Sequence, residues 1–425
     1  MHPAPPPKRP ANVVVRIFRL MGPGVITGAA DDDPSGIATY SITGALLGTR
    51  LLWTAVLTWP LMGAVQMMCA RVGMVTGEGL ASGLRRKLPR WVCVTFVFAL
   101  LIANTINVGA DLSGMADAAS LLTGWNSHLF VVLFGAAIAL VTVRFRYHQI
   151  AQVLKWLVLS LGAYVLTAFL THPRWGTVLH DTFIPSWPRD RDSWSTIVAI
   201  FGTTISPYLF FWQAAQEVEE EKAKGRRMIV LRRGATGSEI LDRKIDVGLG
   251  TFFSNVVMFF VILACATTLH EHGVTQITTT KEAAEALRPL AGSAATLLYT
   301  LGLIGVGCLA IPTLAGSAAY AFAETFDWTE GLDEPFEGAR EFYAVLILSI
   351  GCGIVMDFIG LSPIRTLYWT AVINGLLAPF LLIGIYLLAT DEKLMKHQTS
   401  SRLSRVVVLI TILTMLGAGV ALFVV

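Results

Sequence analysis

The sequence predicts an all-α integral membrane protein of about eleven transmembrane helices, each needing about 20 mostly apolar residues. Two observations carry that reading. The 425 residues are 54% hydrophobic and only 14% charged, with a mean hydropathy of +0.63, whereas a soluble domain carries about 25% charged residues. The apolar stretches also recur along nearly the whole chain, which argues for one membrane-embedded domain rather than the two or three soluble domains expected of this length. The alternating short strands of a membrane barrel are absent. A net charge of +3 gives no basic face for nucleic acid.

Candidate spans lie near 22–46, 51–75, 91–121, 128–143, 150–171, 194–216, 247–268, 292–324, 342–359, 364–389 and 404–425. Residues 1–20 read as a flexible cytoplasmic tail: Met1 to Asn12 is proline-rich and lacks the basic, apolar, small-residue order of a cleaved signal. Residues 21–425 read as a single transmembrane domain.

Orientation follows from the basic residues. With the N-terminus inside, Arg85, Arg86, Lys87 and Arg90, then Arg226, Arg227, Arg232, Arg233, Arg243 and Lys244, then Lys393, Lys396, Arg402 and Arg405 all fall on the inner side. The outer segments keep few, among them Arg50, Arg174 and Arg365. Eleven crossings then leave the C-terminus outside. The longest inner loop is expected from Glu217 to Asp246, opening on the acidic run Glu217, Glu219, Glu220 and Glu221, which reads as a solvated face.

Two spans contain residues that a membrane helix should avoid. In the first, Asp31-Asp32-Asp33-Pro34-Ser35-Gly36 interrupts an apolar stretch. Carboxylates at that depth cost several kcal/mol, and Pro34 removes a backbone donor. In the sixth, Gly202-Thr203-Thr204-Ile205-Ser206-Pro207-Tyr208 places a proline among small and hydroxyl-bearing residues. Unwound backbone at membrane depth is tolerated only where it is buried in protein or lines a cavity. Spans 1 and 6 correspond if spans 1–5 and 6–10 are repeats, about 21–172 and 194–389, with an extra helix at about 404–425. An odd number of spans makes the second copy inverted. Paired interrupted spans point to a transport site near the midplane.

The donors at the two breaks are oxygens: the carboxylates of Asp31, Asp32 and Asp33, the hydroxyls of Ser35, Thr203, Thr204 and Ser206, and freed carbonyls. No Cys, Met or His lies within either break. Such donors suit Mg²⁺, Mn²⁺ or Ca²⁺, whereas sulfur favours later transition metals. A divalent cation is the expected substrate and no resident cofactor is expected.

These residues resemble the natural resistance-associated macrophage protein (NRAMP) family of divalent metal transporters. Gly22-Pro23-Gly24 through Asp33-Pro34-Ser35-Gly36 is similar to the family's first helix, which ends in a DPGN motif, and Gly202 through Gln213 is similar to its sixth, with an MPH motif. The resemblance extends over nearly the whole chain in helix order and implies a LeuT-like fold. It implies that Asp33 is the metal-binding aspartate, that the Ala30 carbonyl can help, and that Thr203 takes the place of a second carbonyl donor. The family's asparagine is Gly36 here, its methionine is Ser206, and its following histidine is Tyr208. With the three aspartates before the proline and Glu217-Val218-Glu219-Glu220-Glu221 after the sixth helix, the chain resembles the NRAMP-related magnesium transporter branch. Loss of two bulky ligands enlarges the site and removes its soft donor. Mg²⁺ sheds water reluctantly, so a larger all-oxygen site suits a partly hydrated ion.

The resemblance also bears on protons. Asp111 matches an aspartate of the family's relay, but Gly114 stands where the family has glutamate, and Tyr208 replaces the histidine. Tyrosine titrates near pH 10 and is a poor relay near neutrality. The expected function is a secondary transporter moving Mg²⁺, and also Mn²⁺, by alternating access without proton coupling. The alternatives are a proton-coupled Mn²⁺/Fe²⁺ importer, an organic-substrate carrier of the same fold, and a divalent cation channel with an acidic constriction. No phosphate loop, nucleophile elbow or zinc-protease motif points to an enzyme. Short loops fit a multi-pass protein of a bacterial inner membrane.

Other polar residues have ordinary readings. Cys69, Cys93, Cys265, Cys308 and Cys352 read as small buried side chains. His270-Glu271-His272 reads as a solvated outer loop, two histidines making no closed metal site. Asn374 either lines the cavity or packs between helices, and Gln213 and Gln216 are expected to line an inner vestibule.

Overall fold

A computed structural model describes residues 23–145 and 159–425. The expected N-terminal tail and the start of the fifth span lie outside these residues. Among the described residues every regular element is helical. The principal helices are α1 (Pro23–Asp31), α2 (Pro34–Leu47), α3 (Trp53–Thr76), α4 (Arg90–Thr123), α5 (Ser127–Arg144), α6 (Gly162–Leu170), α7 (Arg191–Thr204), α8 (Pro207–Ala223), α9 (Gly237–Thr268), α10 (Ala295–Phe326), α11 (Arg340–Asp357), α12 (Pro363–Ala389) and α13 (Arg402–Val424).

Among the described residues, eight helical stretches are long and apolar enough to cross a bilayer. Three expected spans fall short of that measure for separate reasons. The first is divided into α1 and α2, neither long enough alone. The fifth is described only from its 3₁₀ turn at Leu159–Leu161 onward. Helix α11 spans 18 residues but includes Arg340, Glu341 and Asp357. Large apolar side chains such as Leu140, Trp369, Phe380, Leu413 and Phe423 lie on the outer surface. In water such a surface would drive association; in a bilayer it is the lipid contact.

The breaks have the same local cause. A residue before proline is pushed out of the helical region, and Asp33 (φ −66°, ψ 170°) and Ser206 (φ −78°, ψ 135°) are both extended. Pro34 and Pro207 then open α2 and α8, where a missing N–H costs nothing. Around the breaks the helices approach closely. A Cβ on Gly28 would come within 2.4 Å of the Gly250 carbonyl, and one on Gly73 within 2.5 Å of the Ala214 carbonyl. The first contact seats α1 on α9; the second seats α8 on α3.

The stretch following the sixth span departs from expectation. Residues 217–246 are not one solvated loop: α8 continues to Ala223, and α9 starts at Gly237 on a capping box between Thr236 and Glu239. Glu217 and Arg243 are buried and paired at 2.7 Å; Arg243 also binds Asp246 at 2.5 Å and pairs with Glu220. An acidic run read as a solvated face is half interior because Arg243 of the next helix pairs with Glu217 and Glu220, while Lys222, Lys224 and Arg226 pair with Glu219 and Glu221. Two further corrections concern exposure. Cys352 is exposed and Cys308 partly so, both on apolar helices, because apolar outer faces meet lipid here and are not core. His270 is not free in solvent: its Nδ1 lies 2.7 Å from the Ala45 carbonyl at the outer end of α2.

Candidate metal site

Asp33 sits where α1 stops and α2 starts. As N-cap of α2 it accepts from the Gly36 N–H and the Ser35 hydroxyl, both at 2.7 Å on Oδ1. That is ordinary capping chemistry, and it aims the carboxylate into the gap between the half-helices. Its second oxygen meets groups from other spans: the Asn107 amide of α4 donates at 3.1 Å, and the Tyr208 hydroxyl of α8 lies 3.4 Å away. The carboxylate is buried.

The sixth-span break stands opposite. The Tyr208 hydroxyl donates to the Ala30 carbonyl at 2.9 Å, tying α8 to the end of α1. The Thr203 hydroxyl lies 3.1 Å from that of Tyr40, tying α7 to α2. Ser206 makes no side-chain cap on α8. Its hydroxyl turns back to the carbonyls of Gly202 and Thr203, at 2.5 and 2.7 Å, at the C-terminal end of α7. The two breaks therefore use opposite chemistry: Asp33 satisfies donors at the start of a helix, Ser206 satisfies acceptors at the end of one. A carboxylate and helix-end carbonyls are oxygen donors of the kind hard cations take.

The structure brings some expected residues together and separates others. Ala30, Asp33 and Gly36 meet at the first break and link through Tyr208 to the second, which holds Thr203 and Ser206. Asp31 and Asp32 face another way. The Ser254 hydroxyl of α9 donates to Asp31 at 2.6 Å and lies 3.3 Å from Asp32. No three His, Cys, Asp or Glu side chains gather as a metal cluster among the described residues, so the aspartate triplet does not act as one cage. At Gly36 a Cβ would meet Asp31 O and Asp33 Oδ1 at 3.4 Å, ordinary contacts that leave room for a side chain.

The third span contributes more than expected. Asp111 of α4 is buried and interacts electrostatically with Asp33 and the Ser35 amide; neither of its oxygens has a hydrogen-bond partner of good geometry. Asn107 lies one turn before it and Asn104 nearly one turn earlier. Asn104 donates to the Leu314 carbonyl and the Ser317 hydroxyl of α10. The signal was present in the sequence: Asn104, Asn107 and Asp111 repeat at helical spacing on one face of an apolar span. At Gly114 a Cβ would stand 2.9 Å from the tip of the Leu367 side chain of α12, which would have to shift to admit a longer group. Gln213 donates to Glu217 at 2.8 Å, a packing role on the inner half of α8.

Comparison with known proteins agrees with this arrangement. The family model for natural resistance-associated macrophage protein-like sequences matches residues 24–425. The Erwinia tasmaniensis divalent metal cation transporter MntH is 26% identical over 396 residues, covering 91% of this chain and 89% of that protein. The MntH of Caldanaerobacter subterraneus is 24% identical, covering 96% and 93%. Among solved structures, the Eremococcus coleocola manganese transporter superposes with a TM-score of 0.73 at 18% identity, covering 96% of this chain and 87% of that one. Mhp1, a nucleobase-cation-symport-1 family transporter, superposes with a TM-score of 0.56 at 15% identity, covering 91% and 80%.

Proposed function

The chain belongs to the natural resistance-associated macrophage protein-like family, and from that premise we propose that it is a divalent metal cation transporter carrying Mg²⁺, and also Mn²⁺, by alternating access without obligatory proton movement. The chain has the LeuT-like fold and is a multi-pass membrane carrier, not an enzyme. Its assignment to the magnesium-transporting branch is part of the proposal, as is a bacterial inner membrane with the N-terminus inside. So are repeats of about 21–172 and 194–389, with the helix at about 404–425 outside both.

One observation carries the ion preference. Asp33 faces a break whose other donors are oxygens, and the place of the family's methionine is held by Ser206, whose hydroxyl is spent on helix-end carbonyls. Asp33 is the principal ligand, with the Ala30 and Thr203 carbonyls. Ser206 and Gly36 set the width of the site, and Asp31 and Asp32 hold the first break to α9 and add negative potential. Without a thioether the site has no advantage for soft ions. Burial of Asp33, Thr203 and Ser206 fits alternating access better than an open pore.

A second reading, the proton-coupled Mn²⁺/Fe²⁺ importer, draws on Asp111, an ionisable group held beside Asp33 and the Ser35 amide. Uptake into liposomes loaded with separate Mg²⁺ and Mn²⁺ dyes tests the proposal. Mg²⁺ entry that competes with Mn²⁺ supports it; Mn²⁺ entry unaffected by excess Mg²⁺ overturns it.

A further inference from the structure

Asn107 is wholly buried on α4, in the third span, and its amide nitrogen lies 3.1 Å from Asp33 Oδ2. The orientation follows from chemistry: only the NH₂ end can donate to a carboxylate, so Oδ1 points away from it. That oxygen has no hydrogen-bond partner. A buried amide oxygen left bare forfeits the hydrogen bonds it had in water, and native proteins rarely tolerate one without a use for it. The neighbouring acceptors add to the oddity. Asp111, one turn further along α4, has only the Ser35 amide as a near donor, and Asn104 Oδ1 has no hydrogen-bond partner. Asn107 and Asp111 thus offer oxygens beside Asp33 with too few donors to satisfy them. A cation, or the waters on a cation, supplies what is missing.

We infer that Asn107 is a specificity-determining ligand: its side-chain oxygen joins Asp33 in holding the transported divalent ion. The inference rests on Asp33 being the metal-binding carboxylate. It identifies the amide that position 36 lacks, supplied from the third span instead of the first. Before the ion arrives the Asn107 N–H₂ supports the Asp33 carboxylate. When Asp33 turns to the ion, the amide oxygen, a hard donor, completes the same side of the site.

The test exchanges one atom. Asn107→Ser and Asn107→Cys differ only in oxygen against sulfur, and Asn107→Ala removes both. Mg²⁺ and Cd²⁺ binding to purified protein is measured by calorimetry, with uptake into liposomes in parallel. Asn107→Ala is expected to lose about tenfold in affinity for both ions, within the range for groups that support a metal site. Asn107→Cys is expected to recover Cd²⁺ binding but not Mg²⁺, and Asn107→Ser the reverse, by donor softness. Cys and Ser variants with the same ion preference would mean that position 107 does not touch the ion, overturning the inference. Asp33→Ala separates the two levels: normal binding in that variant removes the underlying site, whereas lost binding there with no Cys–Ser difference removes only the role of Asn107. If Asn107→Ala does not fold, the Ser–Cys pair decides alone.

Discussion

The Asp246 carboxylate on α9 holds the first turn of α1: its oxygens accept from the Gly24 N–H at 2.8 Å and the Val25 N–H at 3.2 Å. Asp246 is itself held by Arg243, which also grips Glu217 on α8. Helices α1 and α8, one from each broken span, are thus fastened to one arginine. A carboxylate at a helix N-terminus is favoured by the backbone donors and by the helix dipole. If the site opens on the side of this contact, as the proposed orientation has it for the cytoplasmic side, the contact has to be released.

Asp246→Asn removes the charge but keeps an acceptor. It is expected to lower stability by about 1–3 kcal/mol, the scale of hydrogen bonds to charged groups, and to shift the protein toward an inner-open state. Labelling of Ser254→Cys by an impermeant maleimide supplied from the inner side should speed up in the Asp246→Asn background. An unchanged labelling rate would show that the closure does not depend on this cap.

Asp33 does two jobs that mutation can separate. Asparagine caps helices as well as aspartate does, whereas alanine costs about 1 kcal/mol at an N-cap. Asp33→Asn is therefore expected to keep near-normal thermal stability and lose metal uptake. Asp33→Ala is expected to lose uptake and about 1 kcal/mol of stability as well. Retained uptake in either purified variant would remove Asp33 from the ion's path.

Ser206→Met would free the Gly202 and Thr203 carbonyls and add a thioether. Position 36 has ordinary contact distances around a new Cβ, so Gly36→Asn should fold. The double variant is expected to favour Mn²⁺ and Cd²⁺ and to lose Mg²⁺ binding, following donor softness. Calorimetry with the three ions checks this. A persisting Mg²⁺ preference would move the selectivity to Asp31, Asp32 or Thr203.

Glu330 lies in the inner connection after α10, where enclosure of its carboxyl, with Glu219 adding to the effect and Lys222 opposing it, pushes it up to about 7. One of its oxygens has no hydrogen-bond partner. An acid raised in the folded state contributes stability at pH below about 4.5, near its unfolded value, and that contribution is lost as pH rises to about 7. Glu330→Gln should therefore raise the melting temperature at pH 8 relative to the native chain and gain less at pH 5. Equal gains at both pH values would refute the assignment.

The breaks were legible because proline and carboxylate in an apolar run have few physical excuses. Asp33 as a cap, extended before Pro34, follows from the same residues. The direction of Asp31 and Asp32 did not follow, because helical periodicity ends where the helix does; only the position of Ser254 on α9 shows that they turn from Asp33. The Asn107–Asp33 contact joins residues 74 apart, and no local pattern sets that pairing. The acidic run after Tyr208 was misread for a related reason: charges look solvated until the burial of a partner such as Arg243 is known.

The last prediction concerns protons. A relay needs successive groups that exchange protons near neutral pH. Position 114 is a glycine packed against Leu367, and Tyr208 spends its hydroxyl on Ala30 and Asp33. Asp111 is left as a single acid beside the site, with nothing after it at the position where the family continues. It can hold a proton without passing one on. The ion does not need a proton gradient, since the membrane potential contributes about 2.3 kcal/mol per charge per 100 mV to a cation moving inward. Liposomes carrying a pH dye and a metal dye should report metal entry without matching acidification, with a rate set by the imposed potential. Asp111→Asn should leave that absence of acidification unchanged, whatever it does to affinity. Stoichiometric acidification in the native chain that disappears in Asp111→Asn would overturn the prediction. It would make Asp111 the proton carrier, and the proton-coupled reading would replace the one proposed.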